Sequence, residues 1–215
     1  MHRRSPPGHP GGNPFYTFCI HTFRITNFIE LMDLAELVRE VKQGSAAAQK
    51  CLFDLLADRM LMICRRYVKS RENAEEIMLD GFHKMFRAIS SFHYEGEPSF
   101  FAWIKKIMVN ECLMFLRKKN VFNLVAESSA EEISPDEEIL SLLSASEIFS
   151  LIVQLPTGYR TVFNLYAIDG MNHREIAELL KISEGTSKSQ LSKARTLLQK
   201  MLLQNGIEYA RRKTQ

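Results

Sequence analysis

The sequence predicts an all-α fold in two helical parts, from three observations. Apolar residues recur at helical spacing through the middle and end of the chain, where helix-forming residues dominate. No run rich in valine, threonine or tyrosine alternates as a strand requires. Glycine and proline concentrate in the first fourteen residues, clear of the segments where helices would run. At 215 residues and 46% hydrophobic, the chain is long enough for one or two cores and too apolar to be disordered.

Residues 1–32 stand apart. They open Met1-His-Arg-Arg-Ser-Pro-Pro-Gly and turn aromatic and apolar, but His21, Arg24 and Asn27 interrupt any secretion-signal core. Met32 followed by Asp33-Leu-Ala-Glu-Leu-Val-Arg resembles an ordinary start, so translation is expected to begin there, leaving residues 1–32 as a non-native or disordered extension. The intact mass of the protein from its host tests this.

Residues 33–120 predict four helices. Asp33 caps the first, whose Leu34, Leu37, Val38 and Val41 share a face, and Gly44 stops it. The second, about Ser45 to Val68, carries Leu52, Leu55, Leu56, Ile63, Cys64 and Tyr67 on a broad stripe. The third, about Asn73 to Ser90, turns Ile77, Phe82, Met85, Phe86 and Ile89 inward. After the loop Phe92-His-Tyr-Glu-Gly-Glu-Pro, the fourth runs from about Pro98, suited to a first turn, to Lys118.

Residues 121–143 predict a flexible acidic linker, with six acids and no base between 121 and 142. Residues 144–205 form the second part. Asn172 caps a helix bearing Ile176, Leu179 and Leu180; Lys181-Ile182-Ser183 ends it, and Ser183 can cap the next. This is a helix-turn-helix. In its second helix Ser187, Leu191, Ala194 and Leu198 share one face, so Lys188, Ser189, Ser192, Lys193 and Thr196 point the other way, a short, polar, cationic surface suited to a major groove. Residues 206–215 end the chain as a basic tail.

Net charge is +3, weak by itself, but residues 181–215 carry eight bases against two acids. The fourth helix sets Phe100, Phe101 and Trp103 beside Lys105, Lys106, Arg117, Lys118 and Lys119, after His93 and Tyr94 in the loop. Such a surface suits single-stranded nucleic acid, because bases stack on rings at roughly 1–3 kcal/mol each while phosphates take the charges. The same rings also read as core, and the lysines as a solvated face. Cys19, Cys51, Cys64 and Cys112 lie far apart in sequence and are expected as reduced thiols in a cytoplasmic protein. No apolar run approaches a membrane span. His173-Arg174-Glu175 lacks the second histidine of a zinc protease, and no phosphate loop or nucleophile with its base is present, so neither catalysis, metal nor cofactor is expected.

Two sets of residues carry a family resemblance. Leu155-Pro156, Tyr159-Arg-Thr-Val-Phe163, Glu175-Ile-Ala177, Gly185-Thr186, Lys188-Ser189 and Lys193-Ala-Arg195 resemble the carboxy-terminal domain of bacterial extracytoplasmic-function sigma factors. Response-regulator output domains share part of that pattern. Asn73-Ala-Glu-Glu-Ile77, Asp80, Phe82, Phe86-Arg-Ala88, Phe92, Ser99-Phe-Phe-Ala-Trp-Ile104, Ile107, Asn110 and Leu116-Arg117 resemble the amino-terminal domain of the same sigma factors, which response regulators lack.

The resemblance implies a four-helix region 2 domain over 33–120, which binds core RNA polymerase and the minus-10 element, and a helix-turn-helix region 4 domain over 144–205, which binds the minus-35 element. It implies that Glu75, Glu76 and Asp80 dock on core polymerase. His93, Tyr94, Lys105, Lys106 and Asn110 would meet minus-10 DNA, with the loop from Phe92 to Ser99 holding a flipped base. Lys188, Ser189, Ser192 and Lys193 would read minus-35 DNA, with Arg174 and Lys181 clamping phosphate. It further implies a linker threaded through the polymerase channel and an anti-sigma protein masking both DNA faces. A bubble of about ten base steps costs on the order of 14 kcal/mol, whereas a site held at about 10 nM supplies roughly 11. Such a protein cannot open promoter DNA without a partner.

Four residues depart from the family pattern. Leu79 replaces glutamine and Gly81 follows the acid, at a cost of about 1 kcal/mol in a helix, which leaves polymerase docking weaker or moved to other contacts. Ser187 replaces an apolar residue and is expected to loosen packing; Gln190 replaces arginine and is expected to remove a phosphate charge. Two other readings stay open: a helix-turn-helix regulator that acts without polymerase, and a degenerate sigma-like interaction module.

Overall fold

The computed structural model describes residues 33–119 and 145–213, all of whose regular elements are helical. The expected extension at 1–32 and the whole of the acidic linker at 121–143 lie outside the described residues. No helix among the described residues is long and apolar enough to cross a membrane.

Four helices build the amino-terminal part: α1 (Leu34–Lys42), α2 (Ala46–Tyr67), α3 (Arg71–Ala88) and α4 (Glu97–Lys118), with a 3-10 turn at Ile89–Ser91. An aspartate carboxylate and two serine hydroxyls set the starts of α1, α2 and α3. Asp33 Oδ1 accepts from Ala35 N at 3.0 Å, Ser45 Oγ from Ala48 N at 3.2 Å and Ser70 Oγ from Asn73 N at 3.2 Å. The Ser70 cap starts α3 two residues before the expected Asn73. Gly44, at φ +86°, turns the chain between α1 and α2. Leu52, Leu56, Met60, Tyr67, Met85, Phe100, Ile104 and Met108 fill the space between α2, α3 and α4. Cys64 and Cys112 are buried there too, and contact with Cys64 together with burial pushes the Cys112 thiol's pKa up, so it stays protonated and inert.

Gly81 has a packing reason that its neighbours in sequence do not reveal. A Cβ there would stand 2.4 Å from Met108 Sδ, so α3 and α4 cross where no side chain intervenes. Alanine gains about 1 kcal/mol of helix propensity, but displacing the buried Met108 costs roughly 1–3. We expect Gly81→Ala to lower stability by about 1 kcal/mol in urea unfolding, and Gly81→Ala with Met108→Val to lose less than the two changes summed.

The carboxy-terminal part comprises α5 (Ala145–Gln154), α6 (Thr157–Phe163), a π-helical turn at Asn164–Ile168, α7 (His173–Leu180) and α8 (Glu184–Lys213). Ile148, Leu151, Ile152, Leu155, Val162, Phe163, Leu165, Ile176, Leu180, Leu191, Ala194 and Leu198 make its core. The expected cap of α7 is a full capping box: Asn172 Oδ1 accepts from Glu175 N at 2.9 Å, and Glu175 Oε2 from Asn172 N at 2.8 Å. Lys181, at φ +58°, ends α7 in the left-handed conformation. Helix α8 continues through much of the stretch expected as a separate basic tail.

The two parts meet along α2, which packs against α5 and α6. Arg65 lies 5.8 Å from the Phe149 ring centroid across this junction.

Candidate nucleic-acid interface

The turn between α7 and α8 is shaped by Lys181 and by Ser183, whose Oγ accepts from Thr186 N at 3.0 Å. That cap starts α8 with its amino end outward. Lys188 and Ser189 are exposed, and Ser192 and Lys193 are half-buried on the same side. Arg174, exposed on α7, pairs with Glu178 at 3.3 Å, and Lys181 is exposed at the turn. All six expected residues of this face therefore belong to the helix-turn-helix, with Lys188 and Ser189 leading it.

Two expectations about the underside are corrected. Ser187 is fully buried, but it does not leave a loose spot, because His173 Nδ1 lies 2.9 Å from its Oγ and the two helices are joined there by a hydrogen bond. The His173 ring stacks on Tyr166 at 4.7 Å, and Arg195 lies over the other ring's centroid at 5.6 Å. Burial, with Lys188 and Arg195 nearby, lowers the His173 pKa, so the ring stays neutral. Gln190 is also buried, with Oε1 3.1 Å from where a Gly158 Cβ would stand. It faces α6 rather than a groove, so its side chain withdraws no charge from the outer face.

On the amino-terminal part the aromatic residues are engaged with one another. Phe100 is fully buried at the centre; Phe92 stacks on Trp103 at 4.3 Å, and Tyr94 lies 6.3 Å from Phe100 between centroids. The Phe92 carbonyl accepts from Lys42 Nζ at 2.6 Å, which ties the loop to α1. Beside this cluster His93, Lys106 and Asn110 are exposed, while Tyr94 is half-buried. Lys105 is different: its ammonium lies 2.6 Å from Asp169 Oδ1, in the other part of the chain.

A third face lies on α3. Glu72, Glu76, Leu79, Asp80 and His83 are exposed at helical spacing, and Glu75 pairs with Arg71 at 2.7 Å. Leu79, 54% exposed, is an apolar residue among acids. Among the described residues, no group of histidine, cysteine, aspartate and glutamate is arranged to hold a metal ion.

Sequence reasoning missed the polar residues of the junction. Arg160 is 3% exposed, and Asn164 and Asp169 face α2 and α4, each meeting residues more than sixty positions away. A charged residue inside the apolar stretch Tyr159–Phe163 was the available signal for Arg160.

Two helical parts, one carrying an exposed helix-turn-helix with a cationic polar helix, define the class of a DNA-binding protein. Family models name both halves: Sigma-70 region 2 matches residues 52–121 and Sigma-70, region 4 matches residues 146–198, together more than half of the chain. The chain belongs to the sigma-70 family of RNA polymerase sigma factors, in its extracytoplasmic-function (ECF) group. It is 27% identical over 184 residues to the ECF RNA polymerase sigma factor SigW of Bacillus subtilis, covering 80% of this chain and 97% of that one. It is 28% identical over 183 residues to the ECF RNA polymerase sigma-E factor of Haemophilus influenzae, covering 79% and 95%. Among solved structures, the sigma factor RpoE of Bartonella quintana in complex with the anti-sigma factor NepR matches over 72% of this chain and 96% of that one, at 23% identity and a TM-score of 0.42.

Proposed function

We propose that this chain binds core RNA polymerase and directs it to a restricted set of promoters, as a non-enzymatic initiation factor acting in the cytoplasm. The observation that carries this reading is the pairing, in one chain and in family order, of the region 2 and region 4 matches. The outer face of α3, with Glu75, Glu76 and Asp80, docks on the polymerase, and Leu79 adds apolar contact to that face. Lys188, Ser189, Ser192 and Lys193 read the minus-35 element, while Arg174 and Lys181 hold phosphate and so set position without reading sequence. Lys105, Lys106 and Asn110, with His93 and Tyr94 in the loop, receive the minus-10 element. Residues 33–120 and 144–205 serve as the two binding domains. Residues 121–143 thread the polymerase between them, and an anti-sigma protein regulates access to the DNA faces.

Run-off transcription by purified core polymerase, with and without this protein, on promoter fragments from its host genome tests the reading. Defined transcripts that require the protein are expected. Silence without co-elution from core would favour a regulator that acts on DNA alone, and silence despite co-elution would favour an interaction module.

A further inference from the structure

The reading end of α8 is not seated on apolar packing. Its first two turns bury Ser187 and Gln190, both polar, and the first apolar side chain that this helix buries is Leu191. Apolar contact is non-directional, so the cluster from Leu191 onward draws α8 to the core without fixing the rotation of its amino end. Gln190 Oε1 has no hydrogen-bond partner among the described residues. The side-chain hydrogen bond that joins this end of α8 to α7 is that of Ser187 Oγ with His173 Nδ1, at 2.9 Å.

His173 is itself held in place. It opens α7 directly after Asn172, whose capping box fixes the backbone there. Its ring stacks on Tyr166 of the π-helical turn with 24° between the planes, and Arg195, farther along α8, lies over the same Tyr166 ring. Ser187 and Arg195 stand about two turns apart on α8, roughly 12 Å along its axis. One stack of side chains, Arg195, Tyr166 and His173, therefore returns to the helix it started from through Ser187.

Small rotations matter at this point. Turning α8 by about 15° carries a Cα on its roughly 2.3 Å radius through about 0.6 Å, and a lysine tip several times farther. A recognition site needs its groups within about 0.5 Å of the productive geometry. Lys188 and Ser189 follow Ser187 directly and turn with it.

We infer that His173, through its bond to Ser187, is a positioning residue that sets the rotation of α8 and so aims Lys188 and Ser189 at the bases of the minus-35 element. The inference rests on the proposed reading role of Lys188 and Ser189. His173 touches no base; it acts through the helix that does.

The probe is a duplex that the full-length protein selects from a randomised pool, together with its single-base variants. Fluorescence anisotropy reads affinity and its salt dependence, and thermal melting followed by circular dichroism reads stability. Ser187→Ala removes the hydroxyl, leaves the half-buried His173 nitrogen to water and favours helix. We expect it to melt within about 3 °C of the parent. It should nevertheless bind the preferred duplex about fivefold to tenfold more weakly, bind the single-base variants as the parent does and keep the parent's salt dependence. His173→Phe, which keeps a ring against Tyr166 but not the bond, should lose the same discrimination, and the two changes together should lose no more than either alone. His173→Asn carries an amide where Nδ1 stands and should restore most of the discrimination. A merely structural contact would move stability and binding together.

Ser187→Ala with the parent's discrimination overturns the inference, as does His173→Asn losing as much as His173→Phe. Lys188→Ala tells that failure from a failure of the reading face. If it weakens binding to the preferred duplex while Ser187→Ala does not, the positioning role alone falls. If it leaves discrimination intact, or if the pool yields no preferred duplex, the reading face falls and the positioning role with it.

Discussion

Arg160→Ala is expected to lower the free energy of unfolding by about 3–5 kcal/mol, the largest single-residue loss of stability anticipated here. Its guanidinium is buried and donates to three carbonyls, those of Val153, Leu155 and Tyr67. Hydrogen bonds from a charged donor contribute roughly 1.5–3 kcal/mol each, and a carbonyl left dry and unpaired costs roughly 1–3. Val153 is half-buried, so water reaches its carbonyl in the variant and the total stays below the simple sum. Two substitutions separate the causes. Arg160→Met keeps most of the side chain's packing without donors and should lose nearly as much as alanine, whereas Arg160→Lys, one compact ammonium in place of a fork, should recover less than half. Urea unfolding followed by circular dichroism reads all three; a loss below about 1 kcal/mol for Arg160→Ala would show that the carbonyls find other partners.

The residues most legible in the sequence are those whose partners lie within one helical turn. Asp33 with Ala35, Asn172 with Glu175 and Ser183 with Thr186 are local caps, and all three were expected at their observed places. The inward stripe of α8 was equally legible, because helical spacing alone puts Ser187, Leu191, Ala194 and Leu198 together. What those stripes meet was not legible. Ser187 looked like a packing defect because its partner, His173, sits on the preceding helix, and Gln190 looked outward because only the fold brings α6 against it. Gly81 looked like a pure cost because Met108 lies on another helix. The seam made by Arg160, Asn164 and Asp169 has no local signature at all: its bonds span 93, 98 and 102 residues, and no periodicity reports a contact at that range. Of the DNA-facing candidates, spacing selected the helix-turn-helix face correctly as outward, but it could not reveal that Lys105 is paired inside the protein.

Lys188→Glu is expected to weaken binding to a minus-35 duplex by about 100-fold, and Lys188→Ala by about tenfold, with little effect on stability. Lys188 is exposed near the amino end of α8, the part of a recognition helix that enters a major groove, so the fold places no demand on it. Losing one base-edge or phosphate contact costs roughly 1–3 kcal/mol; a carboxylate adds repulsion from the phosphates. The two kinds of contact predict different patterns. A base-edge contact makes the loss large on the preferred promoter and small on variants changed at one position, whereas a phosphate contact weakens every duplex alike and reduces the salt dependence by about one ion. Arg174→Ala should show the second pattern, because that side chain stands on α7 outside the reading helix. His173 supplies an internal check on geometry. Lys188 is among the charges that disfavour its imidazolium, so reversing that charge should raise the His173 pKa, observable by NMR in the free protein. A raised His173 pKa with unchanged DNA binding would place Lys188 where the structure has it and remove it from the reading face; tighter discrimination lost together with the pKa shift would assign it to a base.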